Sequence, residues 1–193
     1  MLEASLILLG AFLGSLPFGV WVTRAVTGKD IQQEGSGNIG ATNVARVAGK
    51  TWGVAVLFLD AAKGAMGVWL ATRCLPDSPG MHVAVGVTAF MSHVFPVWLR
   101  FKGGKGVATA LGVLLVLLPW AALAGFVVYA VVLAAFRVSS VGSLLGGLTA
   151  VIVAFVTGAP RPYVLLALTL FWAMLWTHRG NLSRLLHRSE RKL

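Results

Sequence analysis

The chain is short of acids and of cysteine, and each shortage removes a class of protein. Six of its 193 residues are Asp or Glu, against sixteen Lys and Arg, and charged residues make up only 11%. A soluble domain carries roughly a quarter charged residues, so a water-soluble globule is excluded. The single cysteine, Cys74, rules out an internal disulfide, and no Cys/His spacing fits zinc, so neither a metal nor a cofactor is expected. No internal repeat is evident. The start, MLEASLILLGAFLG, lacks a basic n-region and carries Glu3. A cleaved signal peptide is therefore not expected, and the first run stays as a helix.

What is present is apolar sequence, 58% of the chain. It falls into runs at Leu2–Thr23, Trp52–Ala71, Met81–Leu99, Val107–Leu117, Trp120–Phe136, Val138–Val156 and Tyr163–Trp176. Most approach the ~20 residues that cross a bilayer as a helix. The fourth has about 11 and is followed by Pro119, a helix breaker. Residues 107–136 are then either one kinked span or two spans, the first of them short. Charge parity decides between them. With two spans and the N-terminus outside, Arg24, Lys29, Arg46, Lys50, Arg100, Lys102, Lys105, Arg137 and the basic tail share the inner side. Only Arg73 and Arg161 lie outside. The positive-inside bias favours that arrangement. The expectation is an all-α, polytopic transmembrane helix bundle, one integral-membrane domain over 1–193. It has seven spans, the fourth short, with the N-terminus outside and the C-terminus cytoplasmic. The net charge of +10 belongs to these short loops, so no nucleic-acid partner is expected.

Three polar segments then meet on the cytoplasmic side. The first reads EGSGNIGATNVARVAGK. Gly35, Gly37 and Gly40 permit close backbone approach, and Ser36 or Asn38 can cap a short helix through Thr42, Asn43 and Arg46. A helix N-terminus behind such a turn offers N–H groups to an anion, and Arg46 can add a bidentate phosphate contact. The alternative is an ordinary interfacial turn. The second segment, RFKGGKGVAT, lacks the GxxxxGK[ST] of a nucleotide-binding loop. Gly103, Gly104 and Gly106 still expose backbone, Lys102 and Lys105 supply charge, and a helix begins at Val107. It reads as an anion cradle, or as topology-setting lysines with packing glycines.

The third segment is the tail, THRGNLSRLLHRSERK. His178 and Asn181 share a helix face; the His can accept a hydroxyl proton, and the Asn can orient it or polarise a carbonyl. An interfacial anchor is the alternative. The remainder reads as a basic amphipathic helix on an anionic bilayer. Inside the second run, Asp60 and Lys63 are an i,i+3 pair, either functional or fixing bundle geometry. His93 is expected to pack in the core with a backbone hydrogen bond. Pro17, in LGSLPFG, is expected to kink the first span.

GSLPFG, GSGNIGATNVAR, DAAKG, SHVFPVWLRFKGGKGVAT and THRGNLSRL, in this order, resemble the bacterial acyl-phosphate:glycerol-3-phosphate acyltransferase family of the PlsY type. The family carries a glycine where Arg188 stands, then the acid that Glu190 supplies. The resemblance implies a multi-pass enzyme of the bacterial inner membrane with its active site facing the cytoplasm. It implies acyl transfer from acyl phosphate to the sn-1 hydroxyl of glycerol 3-phosphate, giving lysophosphatidic acid and phosphate. No obligate protein partner is implied; the partners are the two substrates and the lipid bilayer. On this chain, Ser36, Gly37, Asn38, Gly40, Thr42, Asn43 and Arg46 would hold one phosphate, and Gly103, Gly104 and Lys105 the other. His178 and Asn181 would serve the acceptor hydroxyl, and Asp60 with Lys63 would support the site. A small membrane anion transporter is the competing reading, since helix N-termini suit it too. The polar residues crowd one face and no duplication shows, which favours the enzyme. A CDP-alcohol phosphotransferase needs clustered aspartates, and the three here are scattered.

Overall fold

The computed structural model describes residues 1–193 and is helical throughout, with no strand. Two compact units make up the chain, residues 1–113 and 114–193. The first holds α1 (Leu2–Ser15), α2 (Phe18–Thr27), α3 (Ala41–Val47), α4 (Lys50–Cys74), α5 (Pro79–Val94), a 3-10 turn (Val97–Leu99) and the start of α6 (Val107–Leu117). The second holds α7 (Pro119–Phe136), α8 (Ser139–Val156), α9 (Arg161–Thr177) and α10 (Arg179–Leu186).

Five segments are long and apolar enough to cross a bilayer: residues 2–27, 50–74, 79–99, 119–136 and 139–156. Two of the seven apolar runs fold as shorter helices, α6 and α9, of 11 and 17 residues. At 1.5 Å per residue α6 is about 16 Å long, half the hydrocarbon thickness. Large apolar side chains such as Leu8, Phe58, Trp120 and Phe155 face outward, while Asp60, Lys63, His82 and His93 are buried. That inversion is what lipid as solvent selects. The protein is an all-α, multi-pass membrane protein.

Prolines set the breaks. Pro17 separates α1 from α2, with Leu16 pushed to an extended backbone at ψ 120° as a residue before proline must be. The first span is therefore two helices, as the kink expectation requires. Pro119 starts α7 at its first turn, where its missing N–H costs nothing, so residues 107–136 are two helices and not one bent helix. Glycines let the helices touch through backbone. A Cβ on Gly14 would overlap Ala89, and one on Gly112 would overlap Ala61. In the second unit Gly125 and Gly146 do the same for α7 and α8, where a Cβ on either would stand 2.5 Å from the other's carbonyl oxygen.

Candidate active site

The loop from Gly28 to Gly40 folds over a small apolar core of Ile31, Ile39, Val44 and Val56, all at most 2% exposed. Burying Ile31 alone contributes about 2 kcal/mol, so this polar loop is anchored. Its organiser is Asn43. The Oδ1 atom accepts the Ser36 N–H at 2.8 Å, and Nδ2 donates to the carbonyls of Glu34 and Asn38 at 3.0 and 2.9 Å and more weakly to Ile31 at 3.4 Å. Asn43 is 2% exposed. The amide read from sequence as a phosphate ligand is committed to the loop, because a short loop without secondary structure must satisfy its buried backbone with side chains. Gly35 and Gly37 have φ of +59° and +71°, conformations that favour glycine.

Neither Ser36 nor Asn38 caps α3, contrary to expectation. Gly40 occupies the cap position, and Asn38 Oδ1 instead accepts the Gly40 N–H at 2.9 Å, closing a tight turn before the helix. Ser36 is exposed, while Thr42 and Arg46 are partly buried on α3. The second glycine segment comes to the same place. Gln32 Nε2 donates to the Lys102 carbonyl at 2.9 Å. Asp30, Gln32, Gln33, Gly37, Lys102 and Gly103 line an open cleft of about 370 Å³. Of these, Asp30, Gln32 and Gln33 escaped the sequence reading. Nothing but their polarity marks them before the contact with Lys102 is known.

Gly103 and Gly104 do not present their amides to a ligand. The Gly103 N–H donates to the Val94 carbonyl at 3.0 Å and the Gly104 N–H to the His93 carbonyl at 3.1 Å. The reason is the end of α5, whose last carbonyls lack helical partners and take them from the returning chain. A Cβ on Gly103 would overlap the His93 carbonyl, and one on Gly104 the His93 ring. Lys102 and Lys105 bring positive charge to this segment, and α6 starts at Val107 as expected.

Beneath this segment lies a buried charge cluster. Lys63 Nζ stands 2.7 Å from Asp60 Oδ1, and both side chains are at most 3% exposed. The ammonium also donates to the Leu16 carbonyl at 2.7 Å, taking up the acceptor exposed by the proline break. The Phe18 ring lies 5.6 Å from the same nitrogen. His93 Nδ1 faces Asp60 Oδ1 at 3.8 Å and has no hydrogen-bond partner. The backbone partner expected for this ring is absent: its Nδ1 points at the carboxylate across the helix pair.

In the second unit, His178 sits at the junction of α9 and α10 and is 2% exposed. Its Nδ1 lies 2.8 Å from the Met174 carbonyl. A carbonyl only accepts, so Nδ1 carries the proton and Nε2 is the basic nitrogen of the neutral ring. The Asn181 N–H donates to the His178 carbonyl at 2.8 Å, whereas the Asn181 side-chain amide donates to Glu190 Oε1. Asn181 therefore stands one helical turn from His178 with its side-chain amide tied to the tail. Glu190 also accepts from Ser140 at 2.9 Å and from Arg184 at 2.8 Å. Partial burial pushes its carboxyl up, but the hydrogen bonds from Asn181, Ser140 and Arg184 and the Arg184 charge hold it below the usual glutamate range. The tail helix ends at Leu186, and the chain turns back through Arg188 at φ +52° to deliver Glu190. The tail is a folded clasp, not the continuous amphipathic helix expected, because three polar partners satisfy one carboxylate better than a bilayer surface does.

Known proteins match this chain along nearly its whole length. The family model for glycerol-3-phosphate acyltransferase matches residues 4–188. A glycerol-3-phosphate acyltransferase of Myxococcus xanthus (strain DK1622) is 58% identical over 191 residues, covering 99% of this chain and all of that protein. One from Anaeromyxobacter sp. (strain K) is 50% identical, covering 100% of this chain and 98% of the relative. The crystal structure of PlsY (YgiH), an integral membrane glycerol 3-phosphate acyltransferase in its glycerol 3-phosphate form, matches with a TM-score of 0.95 at 35% identity, covering 100% of this chain and 96% of that one. Its lysophosphatidic acid form matches with a TM-score of 0.91 at 34% identity. The chain belongs to the glycerol-3-phosphate acyltransferase family.

Proposed function

We propose that the protein transfers a fatty acyl group from acyl phosphate to the sn-1 hydroxyl of glycerol 3-phosphate, forming lysophosphatidic acid and releasing phosphate. The hydroxyl oxygen attacks the acyl carbon, the acyl–phosphate bond breaks, and the hydroxyl proton passes to a base. The observation that carries this reading is the full-length likeness to an enzyme whose structures hold glycerol 3-phosphate and lysophosphatidic acid. The meeting of two glycine-rich cationic segments around one cleft supports it. Phosphate is common to both substrates, and Arg46, Lys102 and Lys105 lie within those segments.

The whole chain, 1–193, acts as one acyltransferase domain of the bacterial inner membrane. The charge asymmetry of the loops supports seven crossings, N-terminus out and C-terminus in, with chemistry on the cytoplasmic face. Ser36, Gly37, Asn38, Gly40, Thr42 and Arg46 serve one phosphate, with Asn43 holding their loop in shape. Lys105 serves the other, while Gly103 and Gly104 shape its segment. His178, together with Asn181, orients the acceptor hydroxyl or takes its proton through the His178 Nε2. Asp60 and Lys63 support the site from within.

The test is phosphate release by purified protein given palmitoyl phosphate and glycerol 3-phosphate, each omitted in turn. Release requiring both is expected; release without glycerol 3-phosphate, or none from palmitoyl phosphate, overturns the reading. Near-normal turnover by His178→Ala removes the base role.

A further inference from the structure

We propose that His93, backed by the Asp60–Lys63 ion pair, is a positioning residue that seats the segment carrying Lys105; this rests on the acyltransferase reading of the site. Three elements meet in the buried cluster beside this ring. Asp60 and Lys63 come from the middle of α4, the Leu16 carbonyl from the proline break after α1, and His93 from the last turn of α5. All three side chains are at most 3% exposed. The ring's Nδ1 edge faces Asp60. The opposite, Nε2 edge faces Gly104, where the three nearest atoms to a would-be Cβ all belong to the His93 imidazole.

The backbone couples the same residues. His93 and Val94 accept the N–H groups of Gly104 and Gly103. Lys105 follows directly, and α6 starts two residues later. The height and tilt of the imidazole therefore set where the lysine and the first turn of α6 stand. The buried ion pair is a rigid stop behind the ring: Lys63 is fixed by Asp60 and by the Leu16 carbonyl, so neither partner is free to swing. A histidine wedged between a carboxylate and Gly104 cannot shift without displacing the segment it supports. A purely space-filling residue would need neither the polar edge facing Asp60 nor a glycine opposite it.

The experiment exchanges size across the contact. Gly104 has no left-handed backbone requirement, and the nearest atoms an alanine there would meet are those of the ring. His93→Ala and Gly104→Ala are each expected to raise KM for one phosphorylated substrate about tenfold, with kcat changed less than about threefold. In the double variant the new methyl occupies space the ring vacated, and KM is expected to return toward wild type. Fold changes that simply multiply, or a KM unmoved in His93→Ala, overturn the proposal. If His93→Ala does not fold, His93→Asn replaces it, keeping a polar edge toward Asp60 but clearing Gly104. Failure of both to fold, alone and with Gly104→Ala, assigns His93 to stability alone and also overturns it. Wild-type protein that turns over no acyl phosphate removes the acyltransferase reading and leaves this one testable. Thermal stabilisation by glycerol 3-phosphate and by inorganic phosphate should then be lost in the single variants and regained in the double, and additive losses again refute it.

Discussion

Replacing Asn43 with alanine removes the amide that closes the first polar loop. Three of its contacts, at 2.8, 3.0 and 2.9 Å, are well formed. At about 1 kcal/mol each they total about 3 kcal/mol. Ser36 is exposed and Glu34 partly so, so water replaces some of the lost partners and the net cost falls to about 2–3 kcal/mol. At 1.4 kcal/mol per factor of ten, the open fraction of the loop rises roughly 30- to 150-fold. Hydrogen–deuterium exchange of the purified protein in detergent reads this directly. Amides of residues 30–47 should exchange faster, while those of α7 and α8 hold their rates. Activity should fall in step with loop opening. Lost activity with unchanged exchange across the loop would refute the reasoning, because Asn43 would then be acting on substrate instead of on the loop.

Removing one partner of the buried pair, by Asp60→Asn or Lys63→Met, should cost about 3–5 kcal/mol and lower the thermal midpoint, while Asp60→Leu with Lys63→Met recovers much of the loss; midpoints of the three variants check this. The Glu190 clasp should depend on pH in one direction. Its folded carboxyl titrates below the usual value of 4.5, so its stabilisation is full above that value and is lost as pH falls through the lower folded value. Tail cleavage by pepsin across that acidic range should rise in wild type and lose its pH dependence in Glu190→Gln. Arg188 holds φ +52°, so Arg188→Gly should tighten the tail by about 1 kcal/mol, seen as slower exchange of residues 179–190.

Composition, run length and proline placement were enough to specify a helical membrane protein, the breaks at Pro17 and Pro119, the short α6 and the Asp60–Lys63 pair. These are properties of single segments: apolar length, a missing N–H, an i,i+3 spacing. The same holds for the family, because its motifs are contiguous. The glycine-rich segments were legible as important but not as built. Asn43, Gly103 and Gly104 carry the hydrogen-bonding groups of an anion site, yet the structure turns them onto Glu34, Asn38, Val94 and His93. Local sequence cannot say whether a donor meets a ligand or a neighbouring carbonyl. Only the tertiary fold brought Gln32 to Lys102, His93 to Asp60, and Glu190 back to Ser140 fifty residues away. In each case the group that a polar side chain faces lies far along the chain, and only folding reveals it.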